Sequence, residues 1–157
     1  MNSVYIYLAG PIVGCTDKEA NDWREEFSES LYDLGFVGVS PLRCEPLIGG
    51  DIYEPEYEDN SFGTPDVIAA KNNLDVKRCD LTLAYMPRMS IGTLQEIGWA
   101  VGMRKPVILI TDLLEVRNNA VIKATVPWRF MEHAGARDSG FRHALDVITG
   151  IFGVYAG

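Results

Sequence analysis

The chain has 157 residues, 47% of them hydrophobic, and a formal net charge of -8 at pH 7. This length predicts a single domain, residues 1–157, with one substantial core. A nucleic-acid polymer or an anionic membrane is disfavoured as a partner, because the chain has no basic block to overcome the repulsion between like charges.

The cysteines and histidines do not form a recognisable metal or disulfide pattern. Cys15, Cys44 and Cys79 are odd in number and lack close paired spacing, and His133 and His143 stand apart from them. No segment reaches about 18 uninterrupted apolar residues, and the chain does not open with a basic stretch followed by a long apolar run. We therefore expect a cytoplasmic protein without a membrane segment, a disulfide framework or a zinc site.

Strands and helices alternate along the first part of the chain. Val4–Ala9 has the pattern of a buried first strand, and a helix with a capping box then begins at Thr16. A second strand is predicted over residues 36–40. Residues 41–63 contain Pro, Gly, Tyr and acidic residues with poor periodicity, which predicts a long irregular segment of the kind often found over binding sites.

The alternation continues in the second part of the chain. Thr64 and Pro65 fit the N-cap and first turn of a helix that runs towards Cys79. The remaining predicted elements are strands at residues 81–86, 107–111 and 126–131, and helices at residues 91–103 and 138–151. This order predicts an α/β fold: a flavodoxin-like or Rossmann-like three-layer sandwich around a mainly parallel five-stranded sheet in the order 2-1-3-4-5.

Glu96 is the only charged residue between Ile91 and Met103, in a segment that is otherwise apolar on nearly every face of a helix. A buried carboxylate loses hydration and needs hydrogen bonds or a function to offset that loss, so Glu96 is a candidate reactive group. The alternative is a carboxylate at the helix edge that faces solvent or a partner. In such a sheet, ligands bind beyond the carboxyl ends of the strands, between strands one and three, where Glu96 is expected.

Other polar groups are expected at the same place. Tyr7, near the end of the first strand, is either a ligand-facing phenol or a buried aromatic residue. Ser90 and Thr93 lie at a helix start, where they either cap the helix or bind a phosphate or carboxylate together with backbone N–H groups. Gly92, between them, permits the close approach of such a ligand.

Several motifs match one protein family in the same order: Tyr7-Leu-Ala-Gly-Pro11, Asp80 before a strand, Ser90-Ile-Gly-Thr-Leu-Gln-Glu96-Ile-Gly-Trp-Ala100, and Arg104-Lys-Pro-Val107. Over roughly residues 4–111 the chain resembles the nucleoside 2-deoxyribosyltransferase superfamily. Gly10 and Pro11 belong to the first motif and are candidate binding residues, although Gly-Pro alone is also ordinary turn chemistry. The Gly-Thr-x-x-Glu core after a third strand is the specific part of the resemblance.

The resemblance implies that Glu96 attacks the anomeric carbon of a deoxyribosyl group, that Tyr7 orients it, and that neither a cofactor nor a metal is needed. Ser90 stands where the nucleoside transferases carry Asp, and so resembles the nucleotide-cleaving branch. Serine and helix-start N–H groups can donate to a 5′-phosphate that an aspartate would repel. A role for Ser90 in capping alone is the alternative.

Asn72 stands where the family has a catalytic aspartate, and an amide cannot donate an acidic proton. Departure of the base would then depend on Asp75, on water, or on hydrogen bonds from Asn72 to a pyrimidine. Asp75 is otherwise an ordinary helix residue, and Asp80 is expected to fix the turn into the third strand. The first loop lacks the cation of the nucleotide-cleaving relatives, and Arg43 or Arg88 is either its replacement or a surface residue.

Family members assemble as homodimers or larger homo-oligomers, and Asn119 is a candidate contact to phosphate across an interface, or else a turn or N-cap residue. The sequence thus predicts a small-molecule enzyme, an N-glycosidase that converts a 2′-deoxynucleoside 5′-monophosphate, with a pyrimidine base, into free base and deoxyribose 5-phosphate. The alternatives are a nucleoside 2-deoxyribosyltransferase that exchanges bases and a non-catalytic nucleotide sensor.

Overall fold

The computed structural model describes residues 3–43, 51–53, 64–132 and 137–153. Within these residues the strands and helices alternate, as the periodicity predicts. In chain order they are β1 (Val4–Ala9), α1 (Asp17–Asp33), β2 (Phe36–Val39), α2 (Pro65–Arg78), β3 (Leu81–Tyr85), α3 (Ile91–Gly102), β4 (Val107–Ile110), α4 (Leu114–Arg117), α5 (Ala120–Thr125), β5 (Trp128–Phe130) and α6 (Arg137–Phe152).

The strands of the described residues form one five-stranded sheet in the order β2-β1-β3-β4-β5, and every neighbouring pair is parallel. The predicted fold class and strand order are therefore confirmed. Tyr7 lies opposite Val39 on β2 and Thr82 on β3, in the central part of the sheet.

Each face of the sheet is covered by helices, and the alternation of side chains along β1 decides which residues meet which layer. Ile6 and Leu8 are buried in a cluster with residues of α1 and α6. Tyr7 and Ala9 are buried in a second cluster with residues of α2 and α3. The phenol of Tyr7 therefore lies on the side of the sheet that carries Glu96.

Helix α1 begins and ends as its sequence indicates. The Thr16 hydroxyl accepts a hydrogen bond from the Glu19 amide at 3.2 Å, and the Glu19 carboxylate accepts one from the Thr16 amide at 2.8 Å. This reciprocal capping box satisfies two amides at the helix start. Gly35 follows the helix with φ +82°, which is a conformation that glycine adopts without strain and that turns the chain into β2.

The structure differs from the sequence prediction in two short regions. The fifth strand covers only Trp128–Phe130 instead of residues 126–131, and Val126 is the C-cap of α5 instead of a strand residue. The sequence does not predict the two short helices α4 and α5 within residues 114–125. Thr64 occupies the N-cap position of α2, but its hydroxyl binds the carboxylate of Asp66 and makes no cap hydrogen bond to the helix.

Most of the predicted irregular segment, residues 44–50 and 54–63, lies outside the described residues. The described residue Tyr53 pairs with the loop after β1: its carbonyl accepts from the Gly14 amide at 2.7 Å and its amide donates to the Cys15 carbonyl at 2.9 Å. Tyr53 thus lies beside the first loop. In the parts of the chain that the structure covers, no helix combines the length and apolar character required to cross a bilayer.

Candidate active site

Two loops meet beyond the carboxyl ends of β1 and β3, as the strand order predicts. One follows β1 over residues 10–15, and the other precedes α3 over residues 86–90. Arg88 joins them, because its Nη2 donates to the Val13 carbonyl at 3.2 Å and to the Cys15 sulfur at 2.7 Å. Gly10 permits close packing here: a Cβ atom would lie 2.6 Å from the Trp23 ring and 3.0 Å from the Tyr85 carbonyl oxygen.

Glu96 and Tyr7 form a hydrogen-bonded pair beside these loops. The phenol of Tyr7 donates to Glu96 Oε1 at 2.8 Å, and the two residues are only 0% and 7% exposed, respectively. Glu96 is therefore a buried carboxylate and not a solvent-facing group at the helix edge. Burial and the neighbouring Glu96 carboxylate raise the pKa of Tyr7 well above its ordinary value, so the phenol stays protonated and donates at neutral pH.

The start of α3 lies one and a half helical turns before Glu96. Ser90 Oγ accepts hydrogen bonds from the Thr93 amide at 3.2 Å and from the Thr93 hydroxyl at 2.8 Å, so Ser90 caps the helix. Since these bonds use its acceptor lone pairs, the Ser90 hydroxyl hydrogen can still be donated to a ligand. Gly92 is exposed with open space around it, and the first amides of a helix lack intrahelical partners.

Asp75 and Arg43 form a bidentate ion pair. Arg43 Nη1 and Nη2 each donate to one Asp75 carboxylate oxygen at 2.7 Å, and the Asp75 side chain is 6% exposed while that of Arg43 is 41% exposed. Both oxygens of Asp75 are thus engaged by Arg43, and a role for Asp75 as proton donor to the base stays a prediction. A role for Arg43 as the phosphate cation also stays a prediction.

Asn72 lies one turn before Asp75 on α2, and its Oδ1 is buried without a hydrogen-bond partner among the described residues. A buried acceptor without a donor costs on the order of 1–3 kcal/mol, so this oxygen is suited to receive a donor from a ligand or water. Asn72 therefore has a hydrogen-bond acceptor without a partner among the described residues, whereas Arg43 binds both carboxylate oxygens of Asp75.

Two further candidates have structural roles in the described residues. Asp80 accepts a hydrogen bond from the Tyr5 amide at 2.8 Å and its own amide donates to the Tyr5 carbonyl at 2.8 Å, which fixes the entry to β3 as expected. Asn119 caps α5, since its Oδ1 accepts from the Val121 and Ile122 amides at 2.9 and 3.2 Å. A contact between Asn119 and a partner's ligand stays a prediction.

Arg24 is the feature of the site that the sequence prediction missed. Its side chain is 1% exposed and donates to the carbonyls of Leu8 at 3.1 Å and Gly10 at 2.9 Å, and also to that of Ala20. The signal for this burial was its spacing: Arg24 lies four residues after Ala20 and three before Phe27, on the buried face of α1. Burial lowers its pKa to about 10, so the guanidinium remains charged at neutral pH.

The fold, the parallel strand order and the buried carboxylate at the switch between β1 and β3 together define an α/β protein with an enzyme-like site. The sequence profile of the nucleoside 2-deoxyribosyltransferase family matches residues 6–143, and the chain belongs to this family of enzymes. The sequence comparison with curated proteins gave no match.

Solved structures with a similar fold include two enzymes and a cofactor-binding protein. The CMP N-glycosidase BcmB of Clostridium botulinum is 21% identical with a TM-score of 0.57, over 91% of this chain and 98% of that one. A 2-deoxyribosyltransferase of Bacillus psychrosaccharolyticus is 24% identical with a TM-score of 0.58, over 81% and 85% of the two chains. The molybdenum cofactor binding protein of Rippkaea orientalis is 18% identical with a TM-score of 0.61, over 96% and 98%. At these identities the likeness shows a shared fold.

Proposed function

We propose that this protein is an N-glycosidase that hydrolyses a 2′-deoxynucleoside 5′-monophosphate, with a pyrimidine base, through a covalent intermediate on Glu96. The observation that carries the proposal is the buried Glu96 carboxylate, which accepts a 2.8 Å hydrogen bond from the neutral phenol of Tyr7. A neutral donor orients the carboxylate and does not neutralise its negative charge. A nucleophile that attacks an electron-poor carbon needs that charge.

The reaction is a double displacement. Glu96 attacks C1′ as the bond between C1′ and the base nitrogen breaks, the base leaves with the electron pair and takes a proton, and a glycosyl ester remains on Glu96. Water then attacks C1′, its oxygen joins the sugar, its proton is released, and the carboxylate is regenerated. The charge in both transition states is on an oxocarbenium-like sugar, which the adjacent carboxylate stabilises.

The 5′-phosphate is assigned to the start of α3. Ser90 can donate its hydroxyl hydrogen, the first helix amides point away from the helix, and no acidic residue lies in the first turn to repel a phosphate. Arg88 supports this assignment, because it links the two loops at the site and can supply the cation that the first loop lacks. The buried ring of Tyr7 is expected to crowd a 2′-hydroxyl, which favours deoxyribose.

The base is assigned to the side of α2. Asn72 offers an acceptor and two amide donors, which together can match the amine and carbonyl groups of a pyrimidine. Because both carboxylate oxygens of Asp75 accept from Arg43, we expect the proton on the leaving base to come from water.

We further propose that the protein is a cytoplasmic homodimer or larger homo-oligomer of this one domain. A groove of about 390 Å³ between α3 and α5 is lined largely by apolar side chains and also by Asn119. Large apolar residues around it are exposed: Met89, Ile91, Leu114 and Val121. Burial of such a surface against a second copy would remove apolar area from water. Sedimentation analysis tests this assembly, and a monomer at high concentration would exclude it.

Two alternatives use the same site. In a transferase, another base replaces water in the second step, and the related 2-deoxyribosyltransferase of Bacillus psychrosaccharolyticus favours this reading. In a nucleotide sensor no bond is broken. Asn72, which lacks an acidic proton, favours this second reading, and the similar molybdenum cofactor binding protein is an example of this fold in a binding protein.

Product analysis separates the three functions. The protein is incubated with a panel of deoxynucleotides and nucleosides, with and without an acceptor base, beside the variants Glu96→Gln and, as a matched control at an exposed site, Glu25→Gln. We expect free base and deoxyribose 5-phosphate from a monophosphate, and a loss of at least about 10³-fold in kcat for Glu96→Gln with binding retained. Full turnover by Glu96→Gln refutes the mechanism, base exchange indicates the transferase, and binding without products indicates the sensor.

A further inference from the structure

Arg24 reaches from α1 to the end of β1 and the loop after it. Nε donates to the Leu8 carbonyl at 3.1 Å, Nη2 to the Gly10 carbonyl at 2.9 Å, and Nη1 to the Ala20 carbonyl within α1. Its guanidinium carbon also lies 4.6 Å from the centre of the Trp23 ring. One side chain therefore connects the strand that carries Tyr7, the first loop and the first helix.

The positive charge of Arg24 is buried without a carboxylate in direct contact, as far as the described residues extend. Burial of a cation beside carbonyl groups alone costs free energy, because dipoles replace hydration only in part. Burial lowers the pKa of Arg24 to about 10, and the nearby charge of Glu96 opposes this change. The geometry is consistent with this, because Arg24 binds the carbonyl of Leu8, the residue after Tyr7, whose phenol donates to Glu96.

We propose that Arg24 is a positioning residue for the Tyr7–Glu96 pair: its hydrogen bonds fix the backbone next to Tyr7, and its buried positive charge stabilises the negative charge of Glu96. This inference rests on the proposed nucleophilic role of Glu96. Arg24 acts through Tyr7 and Glu96 and is covered by the first loop, so it need not touch the substrate.

Besides Glu96 on α3, the charged side chains that act on Tyr7 come from α1 and α2. Tyr7 on β1 is a neutral donor, Arg24 on α1 is a cation, and Asp75 on α2 is an anion that acts on Tyr7 but is matched by its ion pair with Arg43. Of the two cations named here, Arg43 is therefore paired with a carboxylate, whereas Arg24 has no carboxylate partner among the described residues. Its removal should shift the protonation of Glu96 towards higher pH, because an ionised carboxylate would lose a stabilising charge.

Infrared spectroscopy across a pH series reads this protonation without any turnover. The carboxylic acid band of Glu96 is isolated by subtraction of the spectrum of Glu96→Gln, with that substitution made in each background. In Arg24→Met, which removes the charge, we expect the pH at which this band reaches half of its full intensity, the midpoint of the titration, to rise by about one unit. In Arg24→Lys, which keeps the charge, and in the exposed control Arg78→Met, we expect it to stay within a few tenths of a unit.

Kinetics supply the second measurement. Arg24→Met should lower kcat about 10-fold at neutral pH with little change in KM, and the acid limb of its pH profile should move in parallel with the infrared midpoint. Should Arg24→Met fail to fold, Arg24→Gln removes the charge with a smaller packing change. An unchanged midpoint in the folded neutral variant overturns the inference. Full turnover by Glu96→Gln would instead refute the proposed function, so the two failures are distinguishable.

Discussion

Helices α2 and α3 pack against each other, and each carries one buried carboxylate. Asp75 on α2 meets the cation Arg43 through two hydrogen bonds of 2.7 Å, whereas Glu96 on α3 meets the neutral phenol of Tyr7 at 2.8 Å. Burial alone therefore does not distinguish a structural carboxylate from a reactive one. In the proposed mechanism the charge of the described partner distinguishes them, because an ion pair engages the lone pairs that a nucleophile needs.

The first turns of α2 and α3 also differ in charge. Asp66 lies in the first turn of α2, where the Thr64 hydroxyl and backbone amides lower the pKa of its carboxyl. The first turn of α3 has no acidic residue and is capped by the hydroxyl of Ser90. The carboxylate of Asp66 therefore interacts with the positive end of the α2 dipole, while the positive end of α3 remains suited to an anion from a ligand.

Among substitutions that leave Glu96 in place, loss of the phenol that donates to it should have the largest effect. Tyr7→Phe removes the hydrogen bond to Glu96 but keeps the buried ring, so we expect kcat to fall about 10²-fold while the fold persists. Steady-state kinetics and thermal unfolding measure the two quantities. Tyr5→Phe, on the same strand but 43% exposed, is the control and should keep its activity. Equal activity of both variants would remove Tyr7 from the mechanism.

Ser90→Asp makes the start of α3 resemble that of α2. Aspartate caps helices as well as serine does, so the midpoint of thermal unfolding should be unchanged or higher. A carboxylate should nevertheless repel a phosphate, so we expect kcat/KM for a 5′-monophosphate to fall about 10- to 100-fold, with a far smaller change for the matching nucleoside. Ser90→Asn is the uncharged control. An equal loss for both substrates would place the phosphate elsewhere.

Asp75→Asn breaks the ion pair on the α2 side and should affect stability more than catalysis. We expect the free energy of unfolding to fall by about 1–3 kcal/mol, because Arg43 loses its anionic partner, and kcat to stay within about threefold. Denaturant unfolding and kinetics provide the comparison with Asp22→Asn at an exposed position of α1. A large loss of kcat without a loss of stability would show that Asp75 takes part in the chemistry.

The sequence was sufficient for the fold and for the choice of Glu96 and Tyr7 as candidate site residues, because both depend on local patterns. Strand and helix periodicities predicted the sheet order. The lone charge at Glu96 in an apolar helix made it a candidate reactive group with a solvent-facing alternative, and the structure shows that it is buried. The capping box at Thr16 and the cap at Ser90 depend on residues three apart and were also readable.

The remaining features depend on pairings between distant residues. Arg43 and Asp75 are 32 positions apart, and Arg88 meets Cys15 across 73 positions, so no local pattern indicates either contact. Arg24 resembles a surface residue because Glu25 and Glu26 follow it, and only the helical spacing of α1 hints at its burial. Short helices such as α4 and α5 contain too few turns for periodicity to be detected.

The stereochemistry of methanolysis tests the central claim most directly. Methanol competes with water in the second step, and the configuration of the methyl glycoside formed from a β-configured deoxynucleotide is read by NMR. Two successive displacements at C1′, the first by Glu96, predict a β-methyl product, and none should form with Glu96→Gln. An α-methyl product would contradict the account, because it requires a single displacement without a glycosyl ester on Glu96.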